Sequence, residues 1–220
     1  IVDNNTSYLI IYNFIKDHNN NIVVKPNGLY NGTGVKIYKE HLHSMEDIFD
    51  YIKEILDKGD TLLIEEKIVG KEFSFTSLTD GNTITHTKPI HNYKRLNVNN
   101  TGPNTSSMGC IMDNCTNSLC FLKNSYIEVV KWLNSEVIDN LKRSNSLAYV
   151  GFLSGSFILT DNGIKLIKYS CSLGDPEGIA LLYDLNIDFS YLIFNIAHGT
   201  LRDVDLFWHD RAVACHYIVP

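Results

Sequence analysis

The chain has 220 residues, of which 44% are hydrophobic and 20% charged, with a formal net charge of −6. That is enough apolar material for one large or two small globular domains, and the acidic balance argues against a general nucleic-acid surface, which needs clustered Lys and Arg. No apolar run reaches bilayer-spanning length, and no charged segment followed by an apolar one opens the chain, so neither a membrane span nor a signal peptide is expected.

Residues 8–15 are apolar at helical spacing and run into a turn cluster at 17–21. Residues 22–25 read as a short β-branched strand, 26–34 as a glycine-rich loop and 35–38 as the returning strand of a hairpin. Ser44 stands where a helix begins, with Asp47 placed to reach back to it. Met45, Ile48, Phe49, Ile52, Ile55 and Leu56 then recur at helical spacing, and Gly59 closes the run. Residues 61–64 are a buried-type strand leading into Glu65 and Glu66. Residues 73–79 form another strand, turned by Asp80-Gly81 into a partner at 83–87.

Residues 91–109 are polar and rich in Asn and Gly, and are expected to form a long functional loop. An amphipathic helix follows over 126–141, then a hairpin of 151–160 and 164–171 around Asp161-Asn162-Gly163. Pro176 suits the first turn of a helix continued by 180–185, and Glu177 suits its positive end. A strand-like run is expected after Gly199. Mixed helices and antiparallel hairpins indicate an α+β fold, with boundaries near Val69-Gly70 and Gly199.

Four features carry chemistry. Lys25 beside Gly28, Gly32, Thr33 and Gly34 offers an ammonium and approachable backbone amides to phosphate, although glycine-rich turns are commonly only turns. Glu65, Glu66 and Glu72 place carboxylates near a strand end, where solvated side chains are the plainer reading. Lys94 and Arg95, followed by Gly102, Pro103, Asn104 and Thr105, put two cations beside a small-residue segment suited to an anion. Asp175 and Glu177 lie at a strand-to-helix junction, where they can hold a metal or orient an amine and also cap the helix and complement its dipole. The 8 histidines are dispersed, so no Ser-His-Asp or Cys-His arrangement stands out. Cys110, Cys115 and Cys120 lack the Cys-x-x-Cys spacing of zinc sites, and free thiols in a reducing, cytoplasmic compartment are expected.

The order of these features resembles the phosphoribosylamine–glycine ligase family. The resemblance runs through Val23-Val24-Lys25 to Gly34-Val35, then Ile64-Glu65-Glu66 to Gly70-Lys71-Glu72-Phe73. It continues through Tyr93-Lys94-Arg95 with Thr101-Gly102-Pro103-Asn104-Thr105 to Met108-Gly109, and ends at Leu173-Gly174-Asp175-Pro176-Glu177. It implies an ATP-grasp fold, in which two α+β subdomains clamp a nucleotide. Residues 1–69 would be the lid subdomain, 70–200 the large subdomain and 201–220 the opening of a C-terminal domain. It also implies ATP and Mg²⁺ as cofactors, with glycine and phosphoribosylamine as small-molecule substrates. No nucleic-acid or membrane partner is implied, and the flanking domains are expected elsewhere in a longer chain. Lys25, Gly28, Gly32, Thr33, Gly34, Glu65, Glu66, Lys67, Ile68 and Glu72 would bind ATP. Lys94, Arg95 and Asp175 would be catalytic, with 102–105 on the substrate side.

The family pattern before Gly-Asp-Pro-Glu is Glu-Phe-Asn-x-Arg-Phe, and here it reads Lys168-Tyr169-Ser170-Cys171-Ser172-Leu173. Lys168 and Ser170 thus stand where the family's metal ligands stand, and Asn92 and Tyr93 replace an Asp-His pair. Three functions fit these residues: a glycine ligase of impaired activity, a non-catalytic nucleotide-binding or scaffold module, and a ligase for another carboxylate–amine pair.

Overall fold

A computed structural model describes residues 1–28, 34–113, 119, 121–145 and 147–219; for Asn100, Asn104 and Asn145 it describes the backbone alone. The chain divides into two compact units, Ile1–Val69 with Asn104–Ser106, and Gly70–Pro103 with Ser107–Pro220.

The first unit is a three-stranded antiparallel sheet backed by two helices. Its elements are α1 (Tyr8–Asp17), β1 (Ile22–Pro26), β2 (Lys36–Ile37), α2 (Met45–Asp57) and β3 (Leu62–Glu66), with strand order β2-β1-β3. Ser7 caps α1 by accepting from the Leu9 amide. Ser44 and Asp47 form the reciprocal capping box of α2, satisfying backbone donors that the first turn leaves open. Ile22 and Val24 of β1 and Leu62 of β3 are fully buried against Ile11, Ile15, Ile48 and Ile52 of the helices. Each such side chain contributes roughly 1.5–3 kcal/mol by leaving water. The alternate residues, Val23, Lys25, Leu63 and Glu65, share the opposite face.

The second unit holds β4 (Lys71–Thr79), β5 (Ile84–His86), β6 (Ile90–Asn97), β7 (Thr101–Met112), α3 (Asn124–Asn145), β8 (Gly151–Thr160), β9 (Gly163–Ser170), α4 (Glu177–Asp184), α5 (Phe189–His198) and β10 (Val213–His216). Its sheet runs β10-β7-β6-β4-β8-β9, with β5 also paired to β4. On one face Phe73, Phe75 and Phe157 pack with Val130 of α3. Asn134 of α3 donates to the Ser77 hydroxyl at 2.9 Å and the Phe75 carbonyl at 3.3 Å, while its side-chain oxygen is buried without a hydrogen-bond partner among the described residues. On the other face α4 covers Ile90, Cys110 and Met112, while Leu192 and Ile196 of α5 cover Leu78. Asp80 accepts from the amides of Asn82, Thr83 and Leu201; burial opposes its charge, but these bonds hold its carboxyl below the usual range.

Four expectations are corrected. The polar stretch 91–109 is not a loop: β6 and β7 run through it, joined by the 3₁₀ turn Val98–Asn100. Hydrogen bonding to neighbouring strands overrides weak strand propensity in Asn- and Ser-rich sequence. The turn uses left-handed backbone at Asn99 (φ 58°) and Gly102 (φ 82°), where a Cβ on Gly102 would also lie 2.5 Å from the Asn97 amide nitrogen. Residues 186–199, which carry no expected element, contain α5; Asp188 caps it through the Tyr191 amide, and left-handed Gly199 ends it. The run after Gly199 is first a 3₁₀ turn, Leu201–Asp203, and becomes a strand only at Val213. Asp175 does not cap α4: Pro176 occupies the cap position, and the Asp175 carboxylate accepts from Tyr217 instead.

Candidate functional site

In the first unit, Lys25 and Glu65 lie on the same face of the paired strands β1 and β3, and Lys25 Nζ reaches Glu65 Oε2 at 2.5 Å. The pair is partly exposed, with side chains 24% and 44% accessible, so an incoming anion competes with Glu65 for the ammonium at modest cost. Gly32 and Thr33 lie outside the described residues. The described residues on either side of them are fastened. Asn27 donates its amide to the Thr61 carbonyl at 2.8 Å and its side chain to the Thr61 hydroxyl at 2.9 Å, next to exposed Gly28. At the far end the Tyr51 hydroxyl donates to the Gly34 carbonyl at 2.7 Å. Lys36 stacks on the Tyr51 ring, 3.6 Å from its centroid.

Glu66 is exposed at the end of β3. The Lys67 amide donates to the Asn21 carbonyl, and its ammonium pairs with Glu40 at 2.5 Å. Ile68 follows, half-buried. Tyr51 is a structural member of this region that motif reading did not single out. Tyr51 was legible only as an aromatic on the inner face of α2.

In the second unit, strand register builds a polar face. Ser74 of β4 stands opposite Ser156 of β8, which stands opposite Lys168 of β9. In the next row Thr76 stands opposite Ser154, and Ser154 opposite Ser170. Directly opposed residues of antiparallel strands project to one side, so these six side chains share a face with Glu72. The hydroxyls of Thr76 and Ser154 lie 2.8 Å apart, and Ser154 donates to the Ser172 carbonyl at 2.9 Å.

Lys94 joins this face, its Nζ 2.8 Å from Glu72 Oε2. Alternation along β6 sends Arg95 to the other side, where its guanidinium donates to the Gly102 carbonyl at 2.9 Å. The adjacent cations therefore separate: Lys94 lies among the polar side chains and Arg95 braces the turn that leads to Pro103, Asn104 and Thr105 in β7. Ser107 ties the strand down by donating to the Gly109 carbonyl at 3.0 Å.

The Gly174-Asp175-Pro176-Glu177 junction closes one side of the same face. Glu177 Oε1 accepts from Asn92 Nδ2 and, at 3.3 Å, from the Ser74 hydroxyl; Asn92 also donates to that hydroxyl at 3.0 Å. Gly174 permits this fold-back, since a Cβ there would lie 2.5 Å from the Glu177 carboxyl carbon. The Asn92 side-chain oxygen Oδ1 is buried without a hydrogen-bond partner among the described residues, an acceptor available to an ammonium or amide donor. Its hydrogen bond to Asp175 pushes the Tyr217 hydroxyl up to about 12. Burial, and secondarily the charge of Glu177, pushes the neighbouring Cys110 thiol up to about 12, so Cys110 is not an activated nucleophile.

The donor set does not suit a divalent cation. Among the described residues no group of three or more His, Cys, Asp or Glu could hold a metal. Of the carboxylates here, Glu72 is paired with Lys94, and Glu177 already accepts from Asn92 and Ser74. Lys168 adds a positive charge where a cation would need a negative one. Among the described residues no helix is long and apolar enough to cross a membrane.

The family described as Phosphoribosylglycinamide synthetase, ATP-grasp (A) domain, matches residues 3–178. The phosphoribosylamine–glycine ligase of Methanococcus vannielii is 36% identical over 203 residues, 90% of this chain and 45% of that relative. The chain thus spans about half the length of the curated relatives it matches. The crystal structure of phosphoribosylamine–glycine ligase from Thermotoga maritima superposes with a TM-score of 0.68 at 26% identity, covering 86% of this chain and 47% of that one. The fold alone is shared with the biotin carboxylase domain of 2-oxoglutarate carboxylase from Hydrogenobacter thermophilus, solved with MgADP, ADP and bicarbonate. That match has a TM-score of 0.58 at 18% identity and covers 88% of this chain and 40% of that one.

Proposed function

Because this chain belongs to the phosphoribosylglycinamide synthetase family, as its ATP-grasp (A) domain, we propose that it is the nucleotide-binding core of an ATP-dependent ligase that joins glycine to 5-phosphoribosylamine through a glycyl phosphate. The observation that carries the proposal is the polar face of the large sheet. Glu72, Ser74, Thr76, Ser154, Lys168 and Lys94 gather there on strands whose opposite face is closed by phenylalanines. Such a rigid array suits phosphoryl transfer, where catalysis consists mainly of positioning and charge stabilisation.

In this reading residues 1–69 are the lid, 70–200 the large subdomain, and 201–220 lead into a further domain. Lys25 leaves Glu65 to neutralise a phosphate, while Gly28, Gly32, Thr33 and Gly34 bring backbone amides to it. Glu65, Glu66, Lys67 and Ile68 border the adenine, and Glu72 accepts from ribose hydroxyls. Lys94 offsets the charge of the transferring phosphoryl group. Arg95 holds 102–105 in register beside the substrates, and Asp175, fixed by Tyr217, orients the attacking amine. The setting is cytoplasmic, in keeping with free Cys110, Cys171 and Cys215.

Calorimetric titration with ATP, followed by an assay for ADP released on adding glycine and phosphoribosylamine, tests the proposal. Saturable ATP binding that weakens at least tenfold in Lys25→Ala is expected. Absence of nucleotide binding would refute the proposal. Binding without substrate-dependent ADP release would favour a non-catalytic nucleotide-binding module.

A further inference from the structure

Resting on the nucleotide-binding reading, we infer that this chain takes up nucleotide phosphates without a divalent cation, with the Lys168 ammonium supplying the positive charge. The argument begins with register. The row Ser74–Ser156–Lys168 crosses three adjacent strands, and the row Thr76–Ser154–Ser170 lies beside it. Two strand spacings, about 9.6 Å, separate the Lys168 backbone from that of Ser74, with Ser156 between them. The exposed ammonium therefore borders the polar face from its edge strand, β9.

Every other charge on this face is already engaged. Lys94 is held by Glu72 at 2.8 Å, and Glu177 accepts from Asn92 and Ser74. Lys168 is exposed, and among the described residues no carboxylate pairs with it. An unpaired cation flanked by hydroxyl donors attracts anions and repels Mg²⁺. A divalent cation would need at least one free carboxylate, and it would meet a like charge on arrival. The same face thus favours ATP carrying its full negative charge over ATP with its charge already partly neutralised by magnesium.

The test titrates the full chain with ATP in EDTA and again in excess Mg²⁺, alongside Lys168→Glu/Ser170→Asn and Lys168→Arg. For the unaltered chain, binding in EDTA at least as tight as in excess Mg²⁺ is expected. Lys168→Arg should behave in the same way. Lys168→Glu/Ser170→Asn should bind at least tenfold more weakly in EDTA and recover in Mg²⁺. Circular dichroism checks that each variant folds. Mn²⁺ added alone should keep its free-ion electron paramagnetic resonance signal with the unaltered chain and lose it with the double variant. Tenfold weaker ATP binding by the unaltered chain in EDTA, or stoichiometric capture of Mn²⁺ by it, overturns the inference but leaves the nucleotide reading intact. Failure to bind ATP under both conditions overturns both.

Discussion

Lys88 and Lys94 stand close together in the chain, and each reaches a carboxylate, Asp184 at 2.9 Å and Glu72 at 2.8 Å. The side chains of the first pair are 9% and 0% accessible; those of the second are 36% and 47% accessible. Around the buried pair every further contact is internal. Lys88 also donates to the His209 and Arg211 carbonyls, and Arg211 reaches Asp184 at 3.4 Å, so the cluster fastens α4 to the segment that leads into β10. The exposed pair lies on the polar face of the sheet, open to water. Ion pairs of similar length thus do different work: where water is excluded, charge holds the chain together, and where water enters, it can be lent to a ligand.

The sharpest way to break this contrast is to delete one buried partner. Asp184→Ala is expected to destabilise the fold by about 3–5 kcal/mol in urea titration, because Lys88 is left charged and unpaired. The double variant Lys88→Met/Asp184→Leu should lose clearly less, since it removes both charges; an equal loss would mean that the pair matters through packing alone. Next in size, Ser154→Ala should cost about 1 kcal/mol, the net worth of a hydrogen bond on the half-enclosed part of the polar face.

A pH scan separates the faces without mutation of the ion pairs. Burial, and secondarily the charge of Lys131, pushes His86 down from 6.5 to about 4. The unfolded chain therefore takes up a proton at His86 before the folded chain does. Stability should be fully present above pH 6.5 and fall as the pH drops towards 4. Melting temperatures of His86→Gln should show a shallower decline over that range. The smallest effect on stability is expected at the exposed pair, where Glu72→Gln should change it by at most about 1 kcal/mol. That same change should weaken ATP binding in calorimetry. A large loss of stability, with nucleotide affinity unchanged, would remove Glu72 from the proposed site.

Local chemistry was legible wherever it is written in neighbouring residues. The Ser44 capping box, the Asn162-Gly163 hairpin and the inner stripe of α2 follow from spacing that needs no partner elsewhere. The helix α5 could have been found from Asp188 and Gly199 at its ends. The strands β6 and β7 are harder to find, because their polar residues are ordered by pairing within the sheet, β7 with β10 from far along the chain, rather than by their own propensity. The candidate residues were legible as an ordered set, but the division of Lys94 from Arg95 required the alternation of a strand that the sequence did not announce.

The sequence by itself determined the α+β class, the family and the identity of the side chains that bear charge. The tertiary structure alone decided which charges are buried and which are offered. Lys88 reads like any surface lysine until Asp184 arrives from 96 positions away and excludes water from both. Lys168 gains its meaning only when β8 carries it into register with Ser156 and Ser74. Charge is a property of a residue, but the dielectric and the partners that give it effect are properties of the assembled fold.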